Sequence, residues 1–191
     1  MIKRIVDLTF SSIIFIVFLP VMMIIYVAIR ISMGKNVIFS QARPGLHGKI
    51  FKMYKFRTMI HADANLSKTD EERITVLGAW LRASSLDELP ELFNVIKGEM
   101  SLVGPRPLLV DYLKKYSPTE MRRHEALPGI TGLAQVRGRN NLSWRNKFRY
   151  DIFYIDRQNF FFDLQILFET ILVVLLRRGF RSNGELKRFD E

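Results

Sequence analysis

Hydrophobic positions are most concentrated at the start of the chain, where Leu8 to Ile29 run between Asp7 and Arg30 without a formal charge. A straight helix over that run would be about 33 Å long, enough to cross a hydrocarbon core. Pro20 sits near its middle, and there the pyrrolidine ring removes a donor and clashes with the carbonyl of Ile16. Two arrangements follow. In one the helix spans with a kink at Pro20; in the other it breaks at Leu19–Pro20 and returns to its own side, each half reaching about 20 Å and too short to cross alone. Proline's usual habit of kinking favours the span. The matching basic flanks, Lys3 and Arg4 before and Arg30 and Lys35 after, leave no positive-inside asymmetry and push the other way. The run exceeds a signal-peptide core and no small-residue cleavage site follows, so it is expected to be retained.

Beyond the anchor the pattern changes period. Val37 to Arg43 reads as a strand, Pro44 to Gly48 as a turn, and Ile50 to Arg57 as a second strand of imperfect alternation, together a β-hairpin. Residues 62–73 are polar and read as a loop or short helix. Ile74–Ala83 and Glu88–Ile96 read as helices, the second closed by Gly98, and Gly104-Pro105-Arg106-Pro107 cannot continue either regular structure. Leu108–Tyr116 and Pro118–Ala126 read as further helices. Asp163–Arg178 is a marked helix, with Asp163 as cap, Arg177 and Arg178 in the last turn and Gly179 as stop. It is very apolar, but Gln165, Glu169 and Arg177 share a stripe. With Phe160, Phe161 and Phe162 ahead of it, this reads as an interfacial helix rather than a second span. The fold class expected is α+β, mostly helical, in one domain of ordinary size.

Charge narrows the partners. Lys and Arg number 29 against 19 Asp and Glu, a formal net charge of +10. That surplus suits anionic lipid, nucleic acid or phosphorylated small molecules. Cysteine is absent, which excludes disulfides, thiolate metal sites and thiol nucleophiles. His47, His61 and His124 show no metal-ligand spacing.

The stretch Leu81 to Asn94 carries the most chemistry. Pro90 is tolerated only in a first helical turn, which places Asp87 at or just before a helix N-terminus. From spacing alone Asp87 is best read as an N-cap, and Ser85 with Glu88 as a capping box. Helix N-termini also attract phosphate, and Arg82 lies about one turn upstream, so a phosphoryl-transfer site is the competing reading. Arg106, stiffened by two prolines, suits a bidentate grip on phosphate or a planar base. Gly129 to Arg139 mixes glycines with Arg137 and Arg139 and could form a phosphate nest, although it matches no Walker or dinucleotide pattern. Asn140 to Trp144 is polar with one aromatic and is a candidate contact for a sugar ring.

Five segments taken together resemble one known family. They are Phe39-Ser40-Gln41-Ala42-Arg43-Pro44-Gly45, Lys55-Phe56-Arg57-Thr58-Met59, Ser85-Leu86-Asp87-Glu88-Leu89-Pro90-Glu91-Leu92 with Asn94, Gly104-Pro105-Arg106-Pro107, and Pro128-Gly129-Ile130-Thr131-Gly132-Leu133-Ala134-Gln135. In this order they resemble the bacterial sugar transferases, the polyprenyl-phosphate phosphoglycosyl transferases, in their small monotopic form that starts bacterial glycoprotein glycans. The resemblance implies a re-entrant membrane helix over residues 1–35, broken at Leu19–Pro20, and a catalytic domain over 36–191 with interfacial helices on the cytoplasmic face of the bacterial inner membrane. It also replaces the plain-cap reading: Asp87 and Glu88 become a catalytic dyad with Asp87 as nucleophile. The implied substrates are a UDP-sugar and polyprenyl phosphate, with membrane lipids as partners and no nucleic acid. Mg²⁺ is expected, with Asp87 among its ligands. Arg106 is expected to hold the nucleotide and Arg82, Arg137 and Arg139 the phosphates, and Lys55 and Asp151 carry over as further substrate contacts. The competing class is a membrane-tethered basic protein that binds anionic lipid or nucleic acid, although no stacking-platform motif is visible.

Overall fold

A computed structural model describes residues 2–60, 69, 72–138, 142–176 and 189. The apolar run forms one helix, α1 (Ile2–Met33), with Pro20 inside it. Only 11% of its most apolar window is buried, so it is not the core helix of a water-soluble domain. Both of its ends nevertheless rest on the rest of the protein. Near the start, Lys3 Nζ pairs with Asp163 at 2.6 Å, the Arg4 guanidinium donates to the carbonyls of Val95 and Ile96, and Asp7 accepts from the Leu102 amide at 3.1 Å. Near the other end, Ile25 and Ile29 are buried against Val37, Phe56 and Leu81. Arg57 locks that junction by donating to the carbonyls of Met33 and Lys35.

The hairpin is present: β1 (Ile38–Pro44) and β2 (Ile50–Phe56) pair antiparallel, with Phe39 opposite Lys55. Phe51 and Met53 point into the core, and two-residue alternation puts Lys55 on the same face. Helix α2 (Val76–Ser84) ends at Ser85 in the left-handed region, φ 58°, and the chain then makes a single 3₁₀ turn, Leu86–Glu88, before α3 (Glu91–Lys97). Gly98, φ 84°, closes α3 as the sequence foretold.

A pair of very short parallel strands, β3 (Ser101–Val103) and β4 (Gly129–Thr131), joins the hairpin's core, Leu102 and Val103 clustering with Phe51 and Met53. It depends on glycine: a Cβ on Gly129 would lie 2.1 Å from the Gly104 amide nitrogen. The segment 108–126 is less helical than its pattern predicts, giving a 3₁₀ turn at Val110–Lys114 and then α4 (Pro118–Met121), which carries a capping box from Ser117 to Glu120. Helices α5 (Leu133–Arg137), α6 (Trp144–Arg157) and α7 (Phe160–Leu175) complete the described fold. The cap of α7 is Asn159, whereas Asp163 turns inward to Lys3 and Tyr154. Residues 177–179, expected to end α7, lie outside the described residues.

Candidate active site

Asp87 caps nothing. The helix it was expected to cap begins instead behind Pro90, and Asp87 falls in the 3₁₀ turn ahead of it, where no side-chain cap hydrogen bond forms. Its carboxylate makes no hydrogen bond or ion pair among the described residues, although the residue is only 8% exposed. Burial, then the neighbouring Glu88 charge, push its pKa up to about 6, against the opposing pull of Lys55, Arg106 and Arg82.

Glu88 is the reverse case. Lys55 Nζ lies 2.7 Å and Arg106 Nη2 2.8 Å from its Oε1. Burial alone would raise its pKa, but these two cations and their hydrogen bonds hold it well below the usual carboxylate range. The two adjacent carboxyls are therefore driven apart, one held firmly ionised by its cations and one left unpaired. Such divergence of neighbouring groups is characteristic of sites that do chemistry.

Glu91 is a third carboxyl that sequence reasoning assigned no role. It lies three residues after Glu88, is 2% exposed, and has Oε1 3.0 Å from Lys55 Nζ without a hydrogen bond. Burial pushes it up to about 7. Lys55 thus sits between two carboxyls. Burial would lower its pKa, but Glu88 and Glu91 outweigh that and raise it, which keeps it charged. The imperfect alternation noted in β2 is this lysine, on a core-facing position because acids await it there.

The other cations approach from three directions. Arg82, on α2, donates from Nε to Thr58 Oγ1 at 2.9 Å, and its two amino groups make no other hydrogen bond among the described residues. This contact exists because α2 packs with no side chain in between: a Cβ on Gly78 would fall 1.9 Å from the Thr58 carbonyl oxygen. Arg106 is held in the turn between β3 and the segment that follows. Its charge is reinforced chiefly by Glu88, which raises its pKa against the effect of burial. Arg43 lies beside it, donating to the Pro107 carbonyl and to Gln41, and burial followed by Arg106 lowers its pKa to about 10. No role was read for Arg43 from the sequence, though it lies in the first of the five segments.

Two expected contacts are elsewhere. Asp151, on α6, is buried behind the site and spends its Oδ2 on Arg123 at 2.8 Å and 3.1 Å. Burial raises its pKa and Arg123 opposes the rise. Arg123 in turn donates 2.7 Å to the Arg106 carbonyl, so this pair braces the arginine instead of facing a ligand. Arg137 pairs with Glu169 of α7 at 3.2 Å and makes no contact with the Asp87 cluster among the described residues. Arg139 lies outside the described residues.

The donor set fits Mg²⁺ only sparingly. Among the described residues no group of three or more His, Asp or Glu side chains could cage a metal ion. The unpaired Asp87 carboxylate offers one ligand, and magnesium is commonly held through one or two carboxylates plus substrate phosphates. Lys55, Arg106 and Arg82 stand near enough to act on the charge of this carboxylate, so a diphosphate drawn to these cations would meet an unpaired carboxyl group.

Known proteins resemble this chain along most of its length. The family model described as bacterial sugar transferase matches residues 1–177. The chain is 46% identical over 188 residues to an uncharacterized sugar transferase, EpsL, of Bacillus subtilis, covering 96% of this chain and 92% of the relative. It is 37% identical over 196 residues to the undecaprenyl-phosphate galactose phosphotransferase of Salmonella typhimurium, covering 93% of this chain and 41% of the relative. It is also 39% identical over 186 residues to the UDP-glucose:undecaprenyl-phosphate glucose-1-phosphate transferase of Klebsiella pneumoniae, covering 88% of this chain and 39% of the relative. The chain therefore spans about two fifths of the length of the latter two proteins.

Proposed function

The chain belongs to the bacterial sugar transferase family, and from that premise we propose that it moves a sugar 1-phosphate from a UDP-sugar to polyprenyl phosphate, the first membrane step of glycoconjugate assembly. The observation that carries this reading is Asp87, nearly buried, unpaired and raised to about 6 amid Lys55, Arg82 and Arg106. An aspartate of that kind is ionised at neutral pH yet held by no hydrogen bond, which suits a nucleophile.

In the first half-reaction an Asp87 carboxylate oxygen attacks the β-phosphorus of the UDP-sugar. The bond from β-phosphorus to the bridging oxygen breaks, UMP departs with the electron pair, and the phosphosugar remains on Asp87 as an acyl phosphate. In the second, a phosphate oxygen of polyprenyl phosphate attacks the same phosphorus and restores the Asp87 carboxylate, giving polyprenyl-diphosphate-sugar. One anhydride is exchanged for another, so no ATP is consumed. Arg82 and Arg106 orient and neutralise the diphosphate, and preorganised cations of this kind contribute most where charge develops. Lys55 keeps Glu88 ionised and fixed, so that Glu88 orients Arg106. Asp87 together with the substrate diphosphate would hold Mg²⁺, which when bound neutralises diphosphate charge.

The membrane geometry we propose is re-entrant, with α1 bending sharply at Pro20, where the ring removes a backbone donor, and the catalytic domain at the cytoplasmic face of the inner membrane. Its support is that Lys3, Arg4 and Asp7 at one end of α1, and Ile25 and Ile29 at the other, all rest on the same domain. A helix crossing the bilayer would leave one end on the far side. Phe160 and Phe161, both exposed at the start of α7, suit the head-group level.

A panel of UDP-sugars assayed for UMP release in nanodiscs containing polyprenyl phosphate tests the reading. Turnover with at least one sugar is expected. Absence of turnover with all of them, alongside tight binding to oligonucleotide, would favour the tethered binding protein instead.

A further inference from the structure

We infer that Phe189 is a positioning residue for Arg106, acting through an aromatic cage around Arg123, the side chain that holds the Arg106 carbonyl; this rests on the transferase reading above. The Phe189 ring lies among four others, 5.0 Å from Phe148, 5.6 Å from Tyr112, 5.6 Å from Trp144 and 5.9 Å from Tyr116. Its backbone N–H donates to the Tyr112 hydroxyl at 3.5 Å. The Phe148 and Trp144 contacts are edge-on, the arrangement in which aromatic pairs add most beyond area burial.

Three walls of this cage lie against cations that neighbour Arg106. The Arg123 guanidinium lies 5.6 Å from the centroid of Phe148 and 5.7 Å from that of Tyr116, and it donates to the Tyr116 hydroxyl at 3.3 Å. That same guanidinium holds the Arg106 carbonyl at 2.7 Å. The third wall, Trp144, has Lys147 Nζ 4.3 Å over its ring. Lys147 is close enough to Arg106 that burial and then the Arg106 charge lower its pKa. Phe189 therefore fills the common space behind both cations. Its removal opens space beside Phe148, Tyr116 and Trp144, and a ring that shifts into it withdraws its face from Arg123 or Lys147.

A loosened Arg106 weakens the hold on the nucleotide phosphates before it affects the attacking carboxylate. Phe189→Ala is therefore expected to raise KM for the UDP-sugar and Kd for UMP about fivefold, with kcat within about twofold of wild type. Phe189→Tyr is expected to restore both. A general loss of folded protein would instead lower apparent kcat and leave KM unmoved, so the split separates positioning from stability. Should Phe189→Ala fail to fold, Phe189→Leu, which keeps volume without the ring, is expected to raise KM about twofold to threefold.

UMP binding by calorimetry and UDP-sugar kinetics on the full chain in nanodiscs decide the matter. An active wild type whose Phe189→Ala or Phe189→Leu variant keeps its KM and Kd overturns the positioning role alone. A wild type that neither binds UMP nor turns over any UDP-sugar overturns the transferase reading, and this inference with it.

Discussion

The pKa of Asp87 can be tested through the pH dependence of the first half-reaction. Its carboxyl stands at about 6 against an ordinary 3.8, because burial and Glu88 disfavour the charged form more than Lys55, Arg106 and Arg82 favour it. Only the ionised form can attack phosphorus. The rate should therefore follow the carboxylate fraction, about nine-tenths at pH 7, half at pH 6 and one-tenth at pH 5. An ordinary aspartate would still be more than about nine-tenths ionised at pH 5, so the two cases differ by about tenfold there. The assay is single-turnover UMP release without lipid acceptor, since a phosphate monoester itself titrates near pH 6 and would blur the profile. Glu91, pushed up to about 7, also titrates in this range. The Glu91→Gln variant should keep the Asp87 fall in place, which assigns it. A burst rate that stays flat from pH 7.5 to pH 5 would refute the reasoning.

Three further outcomes are expected. Asp87→Asn should abolish turnover yet raise thermal stability at pH 7.5, because the folded state holds this carboxyl above its unfolded pKa and its ionised form costs roughly 2–3 kcal/mol. That gain should shrink as pH falls below 6 toward 4, where the wild-type carboxyl is protonated in the fold; a melting-temperature series against pH reads it. Lys55→Met should lower stability by about 3 kcal/mol or more by denaturant titration, since it strands Glu91 and half-strands Glu88 in the interior. Single cysteines at Ile2 and at Lys35, in a chain with none of its own, should both resist a membrane-impermeant thiol reagent applied outside intact cells and react after permeabilisation. Labelling of one end only from outside would contradict the re-entrant arrangement.

Much of the scaffold was legible because its signals are local. The hairpin declared itself through alternating apolar residues around Pro44-Gly45, and Gly98 marked the end of α3 through its left-handed backbone. Other features depended on contacts distant in sequence. The strands β3 and β4 are three residues each and are held by glycine-to-glycine backbone packing, which leaves no periodic trace. Helix α6 went unread, and with it the reason for Asp151: the partner that consumes it, Arg123, is 28 residues away. Spacing alone made Asp87 a cap, because Pro90 announces a helix start; the intervening 3₁₀ turn, set by Ser85 in the left-handed region, is what frees the carboxylate. Glu91 was within reach, since Glu88 and Glu91 at a separation of three share a helical face on which Lys55 could answer both.

The most direct measurement is to incubate the protein with a UDP-sugar labelled in the sugar, omit the polyprenyl acceptor, and locate the label by peptide mapping. Stoichiometric phosphosugar on Asp87, discharged when polyprenyl phosphate is added and missing in Asp87→Asn, is the predicted result. Adduct on any other residue, or undiminished turnover by Asp87→Asn, would contradict it.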